Sequence, residues 1–261
     1  MMTKRADNMP KYLEIKQSAG KQSADIFIQG PIVEEEWEEN DVSATGFRDA
    51  LQKVGNVKEI NLHINSPGGS VFAGIAINNM LQQHPAKVNV YVDALAASIA
   101  SVIAMAGDTI FMPENSFLMI HNPAMMLYGN ASDLRKAADD LDQMTKASVA
   151  TYLNKSNGKI DEDKLHELMD AETWLTAQEA VDYGLADEIL KANTAVASLD
   201  KETIKEFKHM PKQLIIEQNA KKPTSTSTID VNVVEELKKE NNAFHMQLED
   251  LERSLYERNN D

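Results

Sequence analysis

Two serines, Ser98 and Ser101, lie inside the small, apolar stretch YVDALAASIASVIAMAGD that runs from Tyr91 to Asp108. A hydroxyl is a poor nucleophile until a neighbouring base takes its proton and a third group orients that base. Six histidines are available: His63, His84, His121, His166, His209 and His245. His84 precedes the helix-stopping Pro85, His166 lies in a charged helical stretch, and His209 and His245 lie beyond the core, so these four read as surface. His63 alternates with Leu62 and Ile64 in a strand and can face either side. His121 ends the run FLMI and is followed by Asn122-Pro123, which puts its ring where a strand runs out into a loop. The segment SPGGS, Ser66 to Ser70, has two readings. It is a tight strand-to-helix turn, or its glycines let backbone N–H groups approach a substrate carbonyl as half of an oxyanion hole. No lysine follows the glycines, so it is no phosphate loop. The histidines and acids are scattered without metal-ligand spacing, and serine chemistry requires neither metal nor cofactor.

The elements that must position these residues follow from periodicity and punctuation. KYLEIKQSAGKQSADIFIQGPI reads as a hairpin around a Gly/Ser turn. A helical pattern with Val42, Phe47 and Leu51 on one side ends near Gly55. EINLHIN is a strand, and VFAGIAINNMLQQHP is a helix. KVNVYVDA is the next strand, and SIASVIAMAG the next helix. TIFMPENSFLMIH supplies two short strands, ASDLRKAADDLDQMTKASVATYLNKSNG a long amphipathic helix, and DEDKLHELMD a shorter one. Thr176 with Glu179 forms a capping-box pattern at the start of another helix. Strands alternating with helices imply a parallel α/β sheet, whose sites form where strand ends meet helix starts. Both SPGGS and the turn at Ser98 fall at such junctions. After about Leu190 the composition changes: residues 194–230 read as a Pro- and Ser/Thr-containing linker. In residues 231–261, Val234, Leu237, Asn241, Phe244, Leu248, Leu251 and Leu255 trace an a/d seam of about three heptads. That is a short coiled coil or an amphipathic helix docked on the body.

The order INSPGGSVFAGIAI, ALAASIAS, FLMIHNP, ETWLTAQEAVDYGLAD is similar to the Clp peptidase (ClpP) family of serine proteases, over about Ile26 to Leu190. It most resembles the Clp-like branch of tailed-phage prohead, or head-maturation, proteases. The resemblance implies a ClpP/crotonase-like spiral of repeated ββα units over residues 1–193, with the C-terminal helical extension added. It also implies Ser98 as nucleophile, His121 as general base, and an oxyanion hole from the N–H groups of Gly69 and Ile99. Ser98 at a helix start, where free N–H groups favour developing negative charge, agrees with that; Ser101, one turn deeper, reads as packing. The family acid falls two residues before the aromatic of WLTAQEAVDYGL, which is Glu172 here rather than an aspartate, with Asp170 as the alternative. Glutamate can orient an imidazole with one more methylene of reach; a Ser–His dyad with neither acid in contact is the third possibility. The family further implies stacked rings of seven subunits meeting through the long helix from Ser132 to about Tyr152. Its apolar stripe (Leu134, Ala138, Leu141, Met144, Val149, Tyr152) reads equally as intramolecular core. The hairpin leading straight into the core differs from the extended N-terminal loop of housekeeping members, which leaves dependence on a hexameric Clp-type ATPase open.

Bulk properties narrow the partners. Lys+Arg 26 against Asp+Glu 41 gives a formal charge of −15, and the 261-residue chain has a pI of about 4.8. So acidic a surface repels phosphate backbones, and nucleic acid is not an expected partner. The absence of cysteine excludes thiolate chemistry and fits a reducing compartment. No apolar run has the ~20 residues that span a bilayer and no signal-peptide pattern opens the chain. A cytoplasmic protein, in the host or the prohead interior if phage-encoded, is expected. The expected partners are polypeptides, capsid or scaffold proteins among them, and further copies of the chain. Competing readings are an ATPase-dependent degradative subunit, a Ser/Lys signal-peptide-peptidase relative, a crotonase-like acyl-CoA enzyme, and an inactive protease-like scaffolding protein.

Overall fold

The computed structural model describes residues 13–16, 22–35, 42–192 and 207–211, all within one compact unit spanning Met1–Ala220. The heptad helix and most of the linker expected at 194–230 lie outside the described residues.

Strand β1 (Leu13–Lys16) pairs antiparallel with β2 (Ser23–Gln29), the expected hairpin. In β2, Ala24, Ile26 and Ile28 are buried while the residues between them stay half exposed, the period of two a one-sided strand requires. Helix α1 (Ala44–Val54) starts at Ser43, whose Oγ accepts the Gly46 N–H at 2.9 Å, and buries Phe47, Ala50 and Val54. There follow β3 (Glu59–Ser66), α2 (Val71–Gln83), β4 (Lys87–Ala97), α3 (Ile99–Ala104), β5 (Thr109–Pro113) and β6 (Phe117–Ile120). The chain continues through α4 (Ala131–Ser156), α5 (Glu162–Asp170), β7 (Thr173–Thr176), α6 (Ala177–Asp182) and β8 (Glu188–Leu190).

The sheet runs β1-β2-β3-β4-β5-β8 and is parallel from β2 onward, as βα alternation demands. β4 serves two partners: Asn89–Tyr91 pairs with β5, and Leu95–Ala97 pairs with β6. Its second half, Ala94 to Ala97, is buried throughout, which explains an apolar run without alternation. β6 in turn carries β7 antiparallel, off the main sheet path. Residues 173–176, Thr-Trp-Leu-Thr, are strand-favouring types in a run too short to alternate, and β7 is not among the elements expected from the sequence.

Helices α2 and α3 pack closely because Gly74 faces Ile99; a Cβ at Gly74 would stand 2.1 Å from Ile99 Cγ1. Asn78 of α2 donates through Nδ2 to the Val102 carbonyl at 2.7 Å, tying the two helices at a buried polar contact. On the half-exposed face of the sheet, Phe27, His63, Tyr91 and Phe111 stack in register across β2 to β5, with ring centroids 4.6, 4.9 and 4.8 Å apart. His63 belongs to this ladder and contacts Asp93 Oδ1 through Nδ1 at 2.9 Å. In α4, Val149 and Tyr152 are buried, Leu141 and Met144 half-buried, and Leu134 and Ala138 exposed. The C-terminal half of that stripe is therefore intramolecular core, and its N-terminal end, Leu134 and Ala138, is not covered by the described residues. No helix among the described residues is long and apolar enough to cross a membrane.

Candidate active site

Ser98 stands alone between the last residue of β4 and the first of α3, with φ 55 and ψ −128. A left-handed φ is unusual for a side chain other than glycine and holds of order 1–3 kcal/mol of strain. It turns the chain sharply from strand to helix and leaves the side chain half exposed in otherwise buried sequence. Two contacts hold the turn. The Ser98 N–H donates to the Met119 carbonyl of β6 at 2.9 Å, and the Ser98 carbonyl accepts from the Ser101 N–H at 3.0 Å and Ser101 Oγ at 2.5 Å. Ser101 is fully buried and also meets Tyr152 Oη from α4 at 2.6 Å. Burial raises the pKa of that phenol, against the smaller lowering effect of the Ser101 bond, so it stays neutral.

His121 follows directly on β6. Because Ala97 pairs with Met119 in the parallel β4–β6 register, Ser98 emerges level with Ile120, one residue before His121. His121 Nε2 lies 2.7 Å from Ser98 Oγ. At that distance the imidazole can take the hydroxyl proton as the oxygen attacks a carbonyl, and return it to a leaving group. The acid arrives by the same logic on the other side. β6 and β7 are antiparallel with Ile120 opposite Thr173, so one step beyond the ladder His121 neighbours Glu172. Glu172 is 8% exposed and has φ 51. Burial lowers the His121 pKa; the Glu172 anion opposes this, and the Lys208 cation adds to the lowering.

The two sequence candidates for the acid diverge in space. Asp170, at the end of α5, accepts from Asn122 Nδ2 at 2.6 Å and so holds the residue after His121. Glu172 accepts the Lys208 N–H at 3.1 Å on Oε2 and the His209 N–H at 2.8 Å on Oε1. Phe207 packs edge-on against Trp174 at 5.2 Å and against the His121 ring at 6.4 Å. Residues 207–211 thus return from the stretch read as linker to the site, a placement the sequence reading missed. The only local signal is an apolar pair, Phe207 and Met210, set ahead of Pro211 in a polar stretch.

The glycine turn lies against the serine. Gly68, at φ 100, is so close that an added Cβ would stand 2.7 Å from Ser98 Cβ, 2.8 Å from the Ala97 carbonyl oxygen and 3.2 Å from Ile99 N. Gly69, at φ 141, abuts the Ile32 carbonyl, where a Cβ would stand at 2.0 Å. The loop is pinned by Ile32 N–H to the Gly68 carbonyl and Ser70 N–H to the Ile32 carbonyl, both 2.8 Å, and by Gly68 N–H to Ser66 Oγ at 3.1 Å. Its neighbours' N–H groups are used in this way; the Gly69 and Ile99 N–H groups have no hydrogen-bond acceptor among the described residues.

The sequence model of the family described as Clp protease matches residues 16–193. The ATP-dependent Clp protease proteolytic subunit of Porphyromonas gingivalis is 38% identical over 138 residues, 52% of this chain and 61% of that protein. The subunits of the same name from Bacteroides thetaiotaomicron and Bacteroides fragilis are each 36% identical over 143 residues, 54% of this chain and 64% and 68% of theirs. The chain therefore spans less than two thirds of the length of the first two of these curated relatives. The matched segment holds every strand of the sheet from β2 onward and Ser98, His121 and Glu172 together, so the chain belongs to the Clp protease family.

Proposed function

We propose that the protein is a serine endopeptidase that cleaves polypeptides, with Ser98 as nucleophile, His121 as general base and acid, and Glu172 as the anion that stabilises the imidazolium. The 2.7 Å contact between His121 Nε2 and Ser98 Oγ is the observation that carries this reading. In the reaction, Oγ attacks the peptide carbonyl while Nε2 takes its proton; the imidazolium then protonates the leaving amine, and water releases the acyl group by the reverse roles. The N–H groups of Gly69 and Ile99, which lack acceptors among the described residues, are the donors for the tetrahedral oxyanion. Asp170 acts on the Asn122 loop instead. Labelling by a fluorophosphonate probe tests the assignment: it should be present in the wild type, absent in Ser98→Ala and retained in Ser101→Ala. An unlabelled wild type would favour an inactive, scaffold-like protein.

Assembly and setting follow as parts of the same reading. The exposed Leu134 near the start of α4, with exposed Met126 and Tyr128 shortly before it in the chain, offers apolar surface for a second copy, in line with stacked rings of seven subunits. The resemblance to prohead proteases, together with the extension beyond the matched segment, favours capsid maturation in a phage head as the setting. A second reading, a degradative subunit served by a Clp-type ATPase, is favoured by the printed names of the relatives. Incubating the protein alone with folded capsid precursor and with an unfolded substrate separates them, since an ATPase-dependent subunit leaves folded precursor intact.

A further inference from the structure

Glu172 is the buried carboxylate beside His121, yet the bonds that hold it come from outside the strands that form the site. Both of its oxygens accept main-chain N–H groups of Lys208 and His209, far along the chain from β7. A carboxylate this enclosed needs donors, because an unsatisfied buried anion is strongly disfavoured. Among the described residues the core supplies none to Glu172; residues 207–210 supply two. The segment that brings them is itself anchored. Phe207 and Met210 pack on the small apolar cluster of Ala94, Leu95, Ala97 and Met119, and Phe207 also stacks edge-on against Trp174.

We propose that Phe207–Met210 is a strap belonging to the active site, a positioning element that fixes the Glu172 carboxylate next to His121 through the N–H groups of residues 208 and 209. The inference rests on the peptidase reading above and extends it. An ionised carboxylate has about four acceptor positions on its two oxygens. The strap occupies one on each oxygen, so capacity remains for the imidazole N–H. The strap therefore does not compete with the base for the acid but limits the rotations a long glutamate side chain would otherwise sample. This also answers why an acid with an extra methylene serves here: the added freedom is removed by hydrogen bonds the chain brings back from beyond the last strand. The alternative, a latch that holds the acid away from the base until released, predicts the opposite response to loosening the strap.

The test is the fluorophosphonate labelling rate of Ser98 in the full chain. His209→Pro removes the donor to Oε1 without touching the core, and the loss of one charge-assisted hydrogen bond should slow labelling about tenfold. His209→Ala keeps the N–H and should restore most of the rate. Phe207→Ala, which weakens the anchor, should slow labelling in the same direction. In a Glu172→Ala background, His209→Pro should have no further effect, because the strap acts through that carboxylate. Faster labelling in His209→Pro or Phe207→Ala would overturn the strap in favour of a latch. Wild-type rates in both, or an undiminished His209→Pro effect in the Glu172→Ala background, would also overturn it. Absence of labelling in the wild type would instead sink the peptidase reading, and the strap with it.

Discussion

Ile120 and Thr173 face each other at the end of the antiparallel β6–β7 pair, and that register match brings His121 and Glu172 side by side. The parallel pairing of Ala97 with Met119 sets Ser98 level with Ile120, one residue short of His121, whose ring reaches back to the hydroxyl. Ser98 follows β4, His121 follows β6 and Glu172 precedes β7, so three adjacent strand ends each carry one member of the constellation. A slip of one residue in either ladder would turn its member to the opposite face. The site is in this sense a property of strand register, and its first testable consequences concern which polar side chains matter for chemistry and which for folding.

Ser101 separates the two. Its hydroxyl is buried against Tyr152 Oη at 2.6 Å and the Ser98 carbonyl at 2.5 Å. Ser101→Ala leaves a buried phenol short of a partner, at about 1–3 kcal/mol. A lowered unfolding midpoint in denaturant with Ser98 labelling retained is the expected outcome; loss of labelling with unchanged stability would contradict it.

The two acids should also part. Glu172→Ala removes the anion beside the imidazole and should reduce peptidase turnover by about two to four powers of ten. Asp170→Ala frees only Asn122, and turnover should stay within about threefold. Comparable losses in both, measured as kcat/KM on one peptide, would mean that the acid role is shared.

The burial of His121 sets a pH dependence. Its folded pKa lies below the ordinary 6.5, burial outweighing the Glu172 anion. The neutral base therefore persists below pH 6.5, and labelling should fall only as pH drops through the lowered value. In Glu172→Gln the raising influence is gone, so the acid limb should move lower still while the plateau drops. The same shift acts on stability. As pH falls below the unfolded value, the unfolded chain takes up the proton first, so stability is lost progressively down to the folded pKa. Wild-type midpoints should decline over that window more than those of His121→Gln.

Much of this was legible in the chain. Ser98 falls at a strand-to-helix change in composition, and His121 closes an apolar run before Asn-Pro; such punctuation is local and survives without structure. The separate placements of Glu172 and Asp170 were not, because residues two apart on a chain are separated only by pairing register, and TWLT has no alternation to announce β7. The fate of the α4 stripe was likewise ambiguous: Leu134 and Val149 share a face pattern, and only packing shows that one is exposed and the other buried. The strap was least legible, since Phe207 and Met210 lie in polar surroundings and act chiefly through main-chain groups that any residue carries.

Gly68 offers a last test, one that displaces the serine without touching a polar group. Its φ of 100 is disfavoured for any side chain, and an added methyl would meet Ser98 Cβ at 2.7 Å and the Ala97 carbonyl oxygen at 2.8 Å. Neither neighbour can yield cheaply: Ala97 is paired with Met119 in β6, and Ser98 is held at its N–H by the same residue. Gly68→Ala must therefore shift the turn, the serine or both, at about 1–3 kcal/mol of strain. A shift of even about 1 Å between base and hydroxyl lowers the rate on the order of a hundredfold. The variant should remain folded by circular dichroism, with a lower unfolding midpoint, and label at least that much more slowly. Wild-type labelling in a folded Gly68→Ala protein would show that the glycine turn does not set the position of the serine.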